Sequence, residues 1–338
     1  MLNIYNKNLL FAMSEPKITT RVLSDSFRKS YLELKCSDRL YKSGKDYKLT
    51  TNEVLEYLDL MNEYENIELH FNFSNINLRE IFEKLHNVRS LHVFGNNDLT
   101  EHDVYDDVYD DVRQPDVYDG NTIQIYPTKL ETLVLFMKIR KRNFTSLFDW
   151  NYVACLPSTL KNLSLLDYID PLPILPSGLK TLALSGWFNQ PVDNLPNSLE
   201  VLYLGEKFNQ TLDNLPNSLK KLDIASRCFN YPVDNLPVGL EILTLCCVYR
   251  KPINNLPITL KYLNIRSYIS PEPRTLNTLP DSIEHLVIDF KNDKNIDKLP
   301  ANLKFCDYVA HSDYSDEDLN ILNFLKKKYP NVQFRKVK

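Results

Sequence analysis

Residues 208–224 read FNQTLDNLPNSLKKLDI, and the second half of that stretch recurs along the chain as L-P-x-x-L-x-x-L-x-[LI]. The copies are LPSTLKNLSL from Leu156, LPSGLKTLAL from Leu175, LPNSLEVLYL from Leu195, LPNSLKKLDI from Leu215, LPVGLEILTL from Leu236, LPITLKYLNI from Leu256 and LPDSIEHLVI from Leu279. YPTKLETLVL from Tyr126 and LPANLKFCDY from Leu299 are degenerate copies at the two ends. From Leu156 the starts are 19, 20, 20, 21, 20, 23 and 20 residues apart. A short fixed period carrying an invariant apolar grid is the mark of coils that stack because no single coil can bury its own apolar face.

The grid also gives the local conformation. In SLEVLYL, Leu202 and Leu204 fall on one face of an extended segment and Val201 and Tyr203 on the other. Stacked copies would build a parallel sheet with the leucines inside. The proline at the second position has no N–H to donate and holds its predecessor extended, which suits a turn into the strand. A coil of about 20 residues leaves little room for a return helix, so extended or 3₁₀ segments are expected there. The predicted fold class is a leucine-rich-repeat solenoid: a curved parallel β-sheet of short coils, with a helical N-terminal region and a C-terminal helix–strand cap.

The segments between strands repeat as well: FNQPVDN (188–194), FNQTLDN (208–214) and FNYPVDN (229–235). Phe188, Phe208 and Phe229 should stack as an internal aromatic column. Asn194, Asn214, Asn235 and Asn255 form a second register, expected to hydrogen-bond the backbone of adjacent coils. The phrase Phe-Asn-x-Pro-[hydrophobic]-Asp-Asn-Leu-Pro-x-x-Leu resembles the FNIP repeat, a relative of the leucine-rich repeat found in amoebae and in giant viruses that infect them. The resemblance covers roughly residues 126–308. It implies a binding protein rather than a catalyst, in a viral or amoebal setting with a host protein as one partner class. The Pro-x-x-Leu-x-x-Leu rhythm is also similar to the short leucine-rich repeats of bacterial effectors.

Proteins of the FNIP type often carry an N-terminal F-box, an adaptor-binding module of three helices. Residues 1–35, ending SDSFRKSYLELK, resemble its last part but lack its opening Leu-Pro helix. Two readings of the N-terminus follow. One is a helical solenoid cap. The other is a remnant F-box, whose partner would be an E3 adaptor and which would make the chain a substrate receptor of a ubiquitin ligase.

Four regions are expected: a helical N-terminal region at 1–48, N-terminal leucine-rich repeats with an acidic Asp/Tyr insert (about 96–122) at 49–125, the repeat array at 126–308, and a cap at 309–338. Apolar residues at three- and four-residue steps predict helices within 1–35, over 54–61 and over 78–86. NIELHF (66–71) and VRSLHVF (88–94) alternate like strands. Residues 103–119 hold seven aspartates and one arginine, so this tract carries about −6 and the remainder of the chain about +2. Near the C-terminus, Ser315 and Asp318 suggest a capping box opening a helix with Leu319, Leu322, Phe324 and Leu325. A strand over 332–334 would close the sheet, and the basic end Arg335-Lys336-Val337-Lys338 reads as a solubility feature.

The totals exclude several classes. The 338 residues carry a net charge of −4, which gives no global electrostatic basis for nucleic-acid binding. No run of 18 apolar residues and no signal-peptide pattern is present, so an intracellular, cytoplasmic location is expected, in a host cell or virion. The six cysteines show no metal-type or redox spacing, and seven glycines leave little for phosphate-cradling loops. No nucleotide, hydrolase or zinc-protease motif occurs. The expectation is no enzyme, no cofactor and no metal site, and a monomeric chain with a protein partner and no membrane contact. A structural virion component without a specific ligand is the alternative.

The candidate site is the outward grid, two positions per strand on the concave face. Its partner-binding residues are Val134, Val201, Tyr203, Asp223, Ile242, Thr244, Tyr262, Asn264, His285, Val287 and Phe305. Aromatic and aliphatic side chains set among polar ones on an open sheet are the composition of protein interfaces. His92 and His285 fall on outward strand positions far apart in the stack and are expected as surface histidines rather than catalytic ones.

Overall fold

The computed structural model describes residues 31–35, 65–72, 78–96, 126–138, 156–245, 249, 251–265, 276–289, 296, 298–309 and 316–337. The chain divides into two compact units, Met1–Leu130 with Leu135–Pro157, and Glu131–Val134 with Ser158–Lys338.

In the first unit β1 (Tyr31–Lys35), β2 (Asn66–Asn72) and β3 (Ser90–Asn96) pair in parallel and in order, with α1 (Leu78–Lys84) between β2 and β3. The strand–helix–strand expectation holds here. The helical expectation for residues 1–35 is corrected at its end. Tyr31–Lys35 is a strand because YLEL alternates with period two and places Leu32 and Leu34 opposite Ile67 and Leu69. Ile81, Phe82, Leu85, Val88 and Leu91 form the core, and the ring of Phe82 stacks on Tyr126 at 5.3 Å. The remaining N-terminal expectations, the cap or F-box included, lie outside the described residues. So do the helix over 54–61, the acidic insert beyond residue 96, Ser315 and four of the six cysteines.

β4 (Thr132–Lys138) begins in the second unit. It is followed there by β5 (Asn162–Leu166), β6 (Thr181–Ser185), β7 (Val201–Leu204), β8 (Lys221–Ile224), β9 (Ile242–Leu245), β10 (Tyr262–Asn264), β11 (His285–Ile288) and β12 (Phe305–Val309). α2 (Asp316–Lys328) and β13 (Gln333–Val337) close the unit. β5 to β13 pair in parallel, each with its sequence neighbours. Among the described residues from 156 to 309 the coils are strands and turns without a helix, as a short repeat dictates. The fold is therefore a leucine-rich-repeat-like solenoid.

Register places every repeat leucine. Leu163, Leu182, Leu202, Leu222, Leu243, Leu263 and Leu286 stand side by side in one column, all fully buried. Leu165, Leu184, Leu204, Ile224 and Leu245 make a second column. Each buried leucine contributes about 1.5–3 kcal/mol relative to exposure, so the columns supply most of the driving force. Cys306 replaces leucine at the far end of the first column, and burial pushes its thiol pKa up to about 12.

Four further ladders run along the stack. The proline carbonyl accepts from the N–H three residues on, for example Leu199 to Pro196 and Leu219 to Pro216, both at 3.0 Å, which fixes the turn into each strand. A hydroxyl inside the turn donates to the leucine carbonyl of the previous coil: Ser198 to Leu179, Ser218 to Leu199, Thr259 to Leu240 and Ser282 to Leu260. The residue just before the strand offers a carbonyl to two N–H groups of the next coil, and from Lys180 to Lys304 its side chain alternates in charge. Lys180 meets Glu200 at 2.6 Å, Glu241 meets Lys261 at 2.8 Å, and Glu284 meets Lys304 at 2.6 Å. Such exposed pairs add little stability singly, but a one-coil slip would set like charges together.

The aromatic column forms as expected and is longer. Tyr168, Phe188, Phe208, Phe229 and Tyr249 stack at 6.2, 6.3, 6.2 and 5.8 Å, with interplanar angles from 3° to 19°. The asparagine expectation needs correction. The asparagine that bonds the neighbouring backbone is the one after the phenylalanine: Asn189 Oδ1 accepts from the Asn209 N–H, and Asn209 Oδ1 from the Asn230 N–H. Asn214 and Asn235 instead donate to the carboxylates of Asp193 and Asp213. The reason is reach, since Asn189 sits beside the next coil's backbone while Asn214 lies on the exposed turn.

Candidate interaction surface

The strands that bury leucine on one face present the intervening residues on the other. From β5 to β9 the burial alternates half-buried, buried, half-buried, buried. Register sets the outward residues in two rows. One row runs Val201, Lys221, Ile242, Tyr262, His285 and Phe305, and the other Tyr203, Asp223, Thr244, Asn264, Val287 and Asp307. The sequence-derived grid is therefore brought onto one face across β7 to β12, with Val134 half-buried on β4. Val287 is the exception: it occupies its register position but is only 3% exposed, so it offers no contact surface.

Two clusters mark this face. On β7 and β8, Lys221 lies over the Tyr203 ring at 4.7 Å and donates to its hydroxyl at 3.0 Å. Beside them Asp223 is half-buried, and desolvation raises its pKa against the opposing pull of Lys221.

The second cluster is denser. Arg335 on β13 donates from Nε to Asp307 Oδ1 at 2.6 Å and from Nη2 to Oδ2 at 2.9 Å, a two-pronged pair. His285 Nε2 lies 2.7 Å from Asp307 Oδ2, and Arg335 Nη2 lies 3.0 Å from the same ring nitrogen. If Nε2 carries the proton it donates to Asp307, and its contact with Arg335 is then a close approach rather than a hydrogen bond. Burial would raise the Asp307 pKa, but hydrogen bonds from Arg335 and His285 outweigh it and hold the carboxyl below its ordinary range. The Tyr262 ring meets His285 edge-on at 4.9 Å, Phe305 lies 5.7 Å from His285, and the Arg335 guanidinium covers Phe305 at 4.5 Å.

The FNIP Repeat family model matches residues 168–207 and 188–227. Residues 168–227 are FNIP repeats. A solved structure described as CroV588, a novel circular LRR protein, is similar over 73% of this chain at 19% identity and a TM-score of 0.36, and this chain spans 40% of that one. No curated protein matches the sequence.

The FNIP repeats and their neighbours set the face in place without forming its densest part. The matched repeats end before β9, whereas the Asp307 cluster is built by β10 to β13. Sequence reading singled out Tyr262, His285 and Phe305 but not their union. His285 stands half-exposed on the outward face, as expected of a surface histidine, and one expectation is refined: Arg335 is an ion-pair residue and not simply part of a basic, solubilising end. The available signal was alternation in QFRKV, which places Arg335 two residues after Gln333 on the same strand face. In α2 only Leu322 and Leu325 of the four expected apolar residues are buried, while Leu319 and Phe324 are exposed. Among the described residues no helix is long and apolar enough to cross a membrane.

Proposed function

We propose that the chain is a non-catalytic protein-recognition module that binds a protein partner through the outward sheet face of β7 to β13. Repeat solenoids of this class generally serve protein interaction. The observation that carries this proposal is the Tyr262–His285–Phe305–Arg335–Asp307 cluster. Interface hot spots concentrate in tyrosine and arginine held rigidly by their neighbours, and this group has that composition and mutual support. A face that served only to cover the leucines would need β-branched residues, not a charge pair stacked on aromatic rings.

The test is quantitative capture of the cellular partner by the whole chain and by a Tyr203→Ala/Tyr262→Ala variant. The reading expects capture to fall at least about tenfold, a loss of about 1.4 kcal/mol, with the melting temperature little changed. Undiminished capture would move the interface to another surface.

A further inference from the structure

We infer that the occupant of this face is an uncharged, extended peptide segment of the partner, laid across the strands from β7 to β13 and anchored at the Tyr262–Phe305 end. The inference rests on the reading above and adds the chemistry of the partner.

The first ground is charge. From β7 to β13 the outward rows hold two cationic side chains, Lys221 and Arg335, and two carboxylates, Asp223 and Asp307. Each cation already has an acceptor on the face. Arg335 holds both oxygens of Asp307, and Lys221 is bonded to Tyr203 and attracted to Asp223. An acidic ligand would have to draw Arg335 from a two-pronged bond and leave a nearly buried carboxylate unpaired; a basic ligand would have to compete with Arg335 for Asp307. Either exchange gives back what it gains. A neutral segment disturbs neither pair.

The second ground is what lies between the pairs. Val201, Ile242 and Thr244 are apolar or uncharged, and the row ends on the rings of Tyr262 and Phe305 flanking His285. Arg335 is fixed by Asp307 through Nε and Nη2, so its Nη1 hydrogens are held in place beside the Phe305 ring, a preorganised donor for a carbonyl oxygen. Size is the third ground. Six inter-strand steps of about 4.8 Å make roughly 29 Å, the length of about nine extended residues.

The probe is a random synthetic 12-mer peptide library presented to the full chain, with selected peptides sequenced and their affinity measured at about 50 and about 500 mM salt, where screening differs several-fold. Uncharged sequences rich in aromatic and aliphatic residues are expected, with affinity changing less than about twofold with salt. Binding should fall at least about tenfold in Tyr262→Ala/Phe305→Ala. Thr244→Glu, which leaves the Asp307 cluster intact and sets a second carboxylate beside Asp223 mid-face, should cause a comparable loss and guards against a folding defect in the double variant. Charged peptides whose binding collapses with salt, yet which both variants lose, would overturn the neutral chemistry while leaving the face as the interface. Peptides held equally by all variants, or no selection at all, would overturn the use of this face.

Discussion

Arg335 and Asp307 are joined by two hydrogen bonds, 2.6 and 2.9 Å, across the last pair of strands. Asp307 lies on the strand of the last repeat and Arg335 on the adjacent strand of the closing cap, 28 residues apart. The cap thus ends the sheet and also shapes the outward face, because β13 delivers the guanidinium that covers Asp307 and Phe305.

This pair predicts an acid sensitivity. The folded Asp307 pKa lies below its unfolded value, so its contribution is fully present above the ordinary carboxylate pKa of about 3.9 and is lost as pH falls through the depressed folded value. Asp307→Asn should therefore flatten the fall in stability below about pH 4, measured by denaturant unfolding at stepped pH. An unchanged acid limb in the variant would mean that the pair is not formed.

Phe208 is fully buried between Phe188 and Phe229. Phe208→Ala should destabilise the chain by about 3–5 kcal/mol, and Phe208→Leu by distinctly less. Urea unfolding measures both. A loss below about 1 kcal/mol for the alanine variant would place the ring at the surface.

Gly205 follows β7 where consecutive coils nearly touch. A Cβ built there would lie 2.4 Å from the Ser185 Cα and 2.8 Å from the Gly186 nitrogen, both backbone atoms. Gly205→Ala should force the coils apart and cost about 1–3 kcal/mol, whereas Gly178→Ala, whose nearest neighbour is 3.8 Å away, should be tolerated.

Lys261 stands between Glu241 and Glu284 in the charge ladder. Lys261→Glu should lower the melting temperature modestly at low salt. The difference should largely vanish near 1 M salt, where the screening length is about 3 Å. Persistence of the whole effect would show that the lysine acts through packing.

The repeat fold was legible because its determinants are local and periodic. Leu202 and Leu204 reveal their face by alternation, and Phe188, Phe208 and Phe229 reveal their column by spacing. What failed was non-periodic. Tyr168 and Tyr249 extend the column without the Phe-Asn signature, since any flat ring of suitable size fits the slot. Tyr31–Lys35 reads locally as the end of a helical region because its strand partners lie more than 30 residues away. Asp307 and Arg335 come from different coils with different motifs, so only the folded chain joins them. The choice between Asn189 and Asn194 as the backbone ladder depended on side-chain reach, which spacing does not encode.

Hydroxyl-radical footprinting of the chain alone and saturated with its captured partner tests the central claim most directly, because it reads each exposed side chain separately. The account predicts protection of Tyr203, Ile242, Tyr262 and Phe305, with Ile174, Val238 and Ile258, exposed on other parts of the coils, oxidised equally in both states. Protection of Ile174, Val238 and Ile258 with Tyr262 and Phe305 unchanged would contradict it.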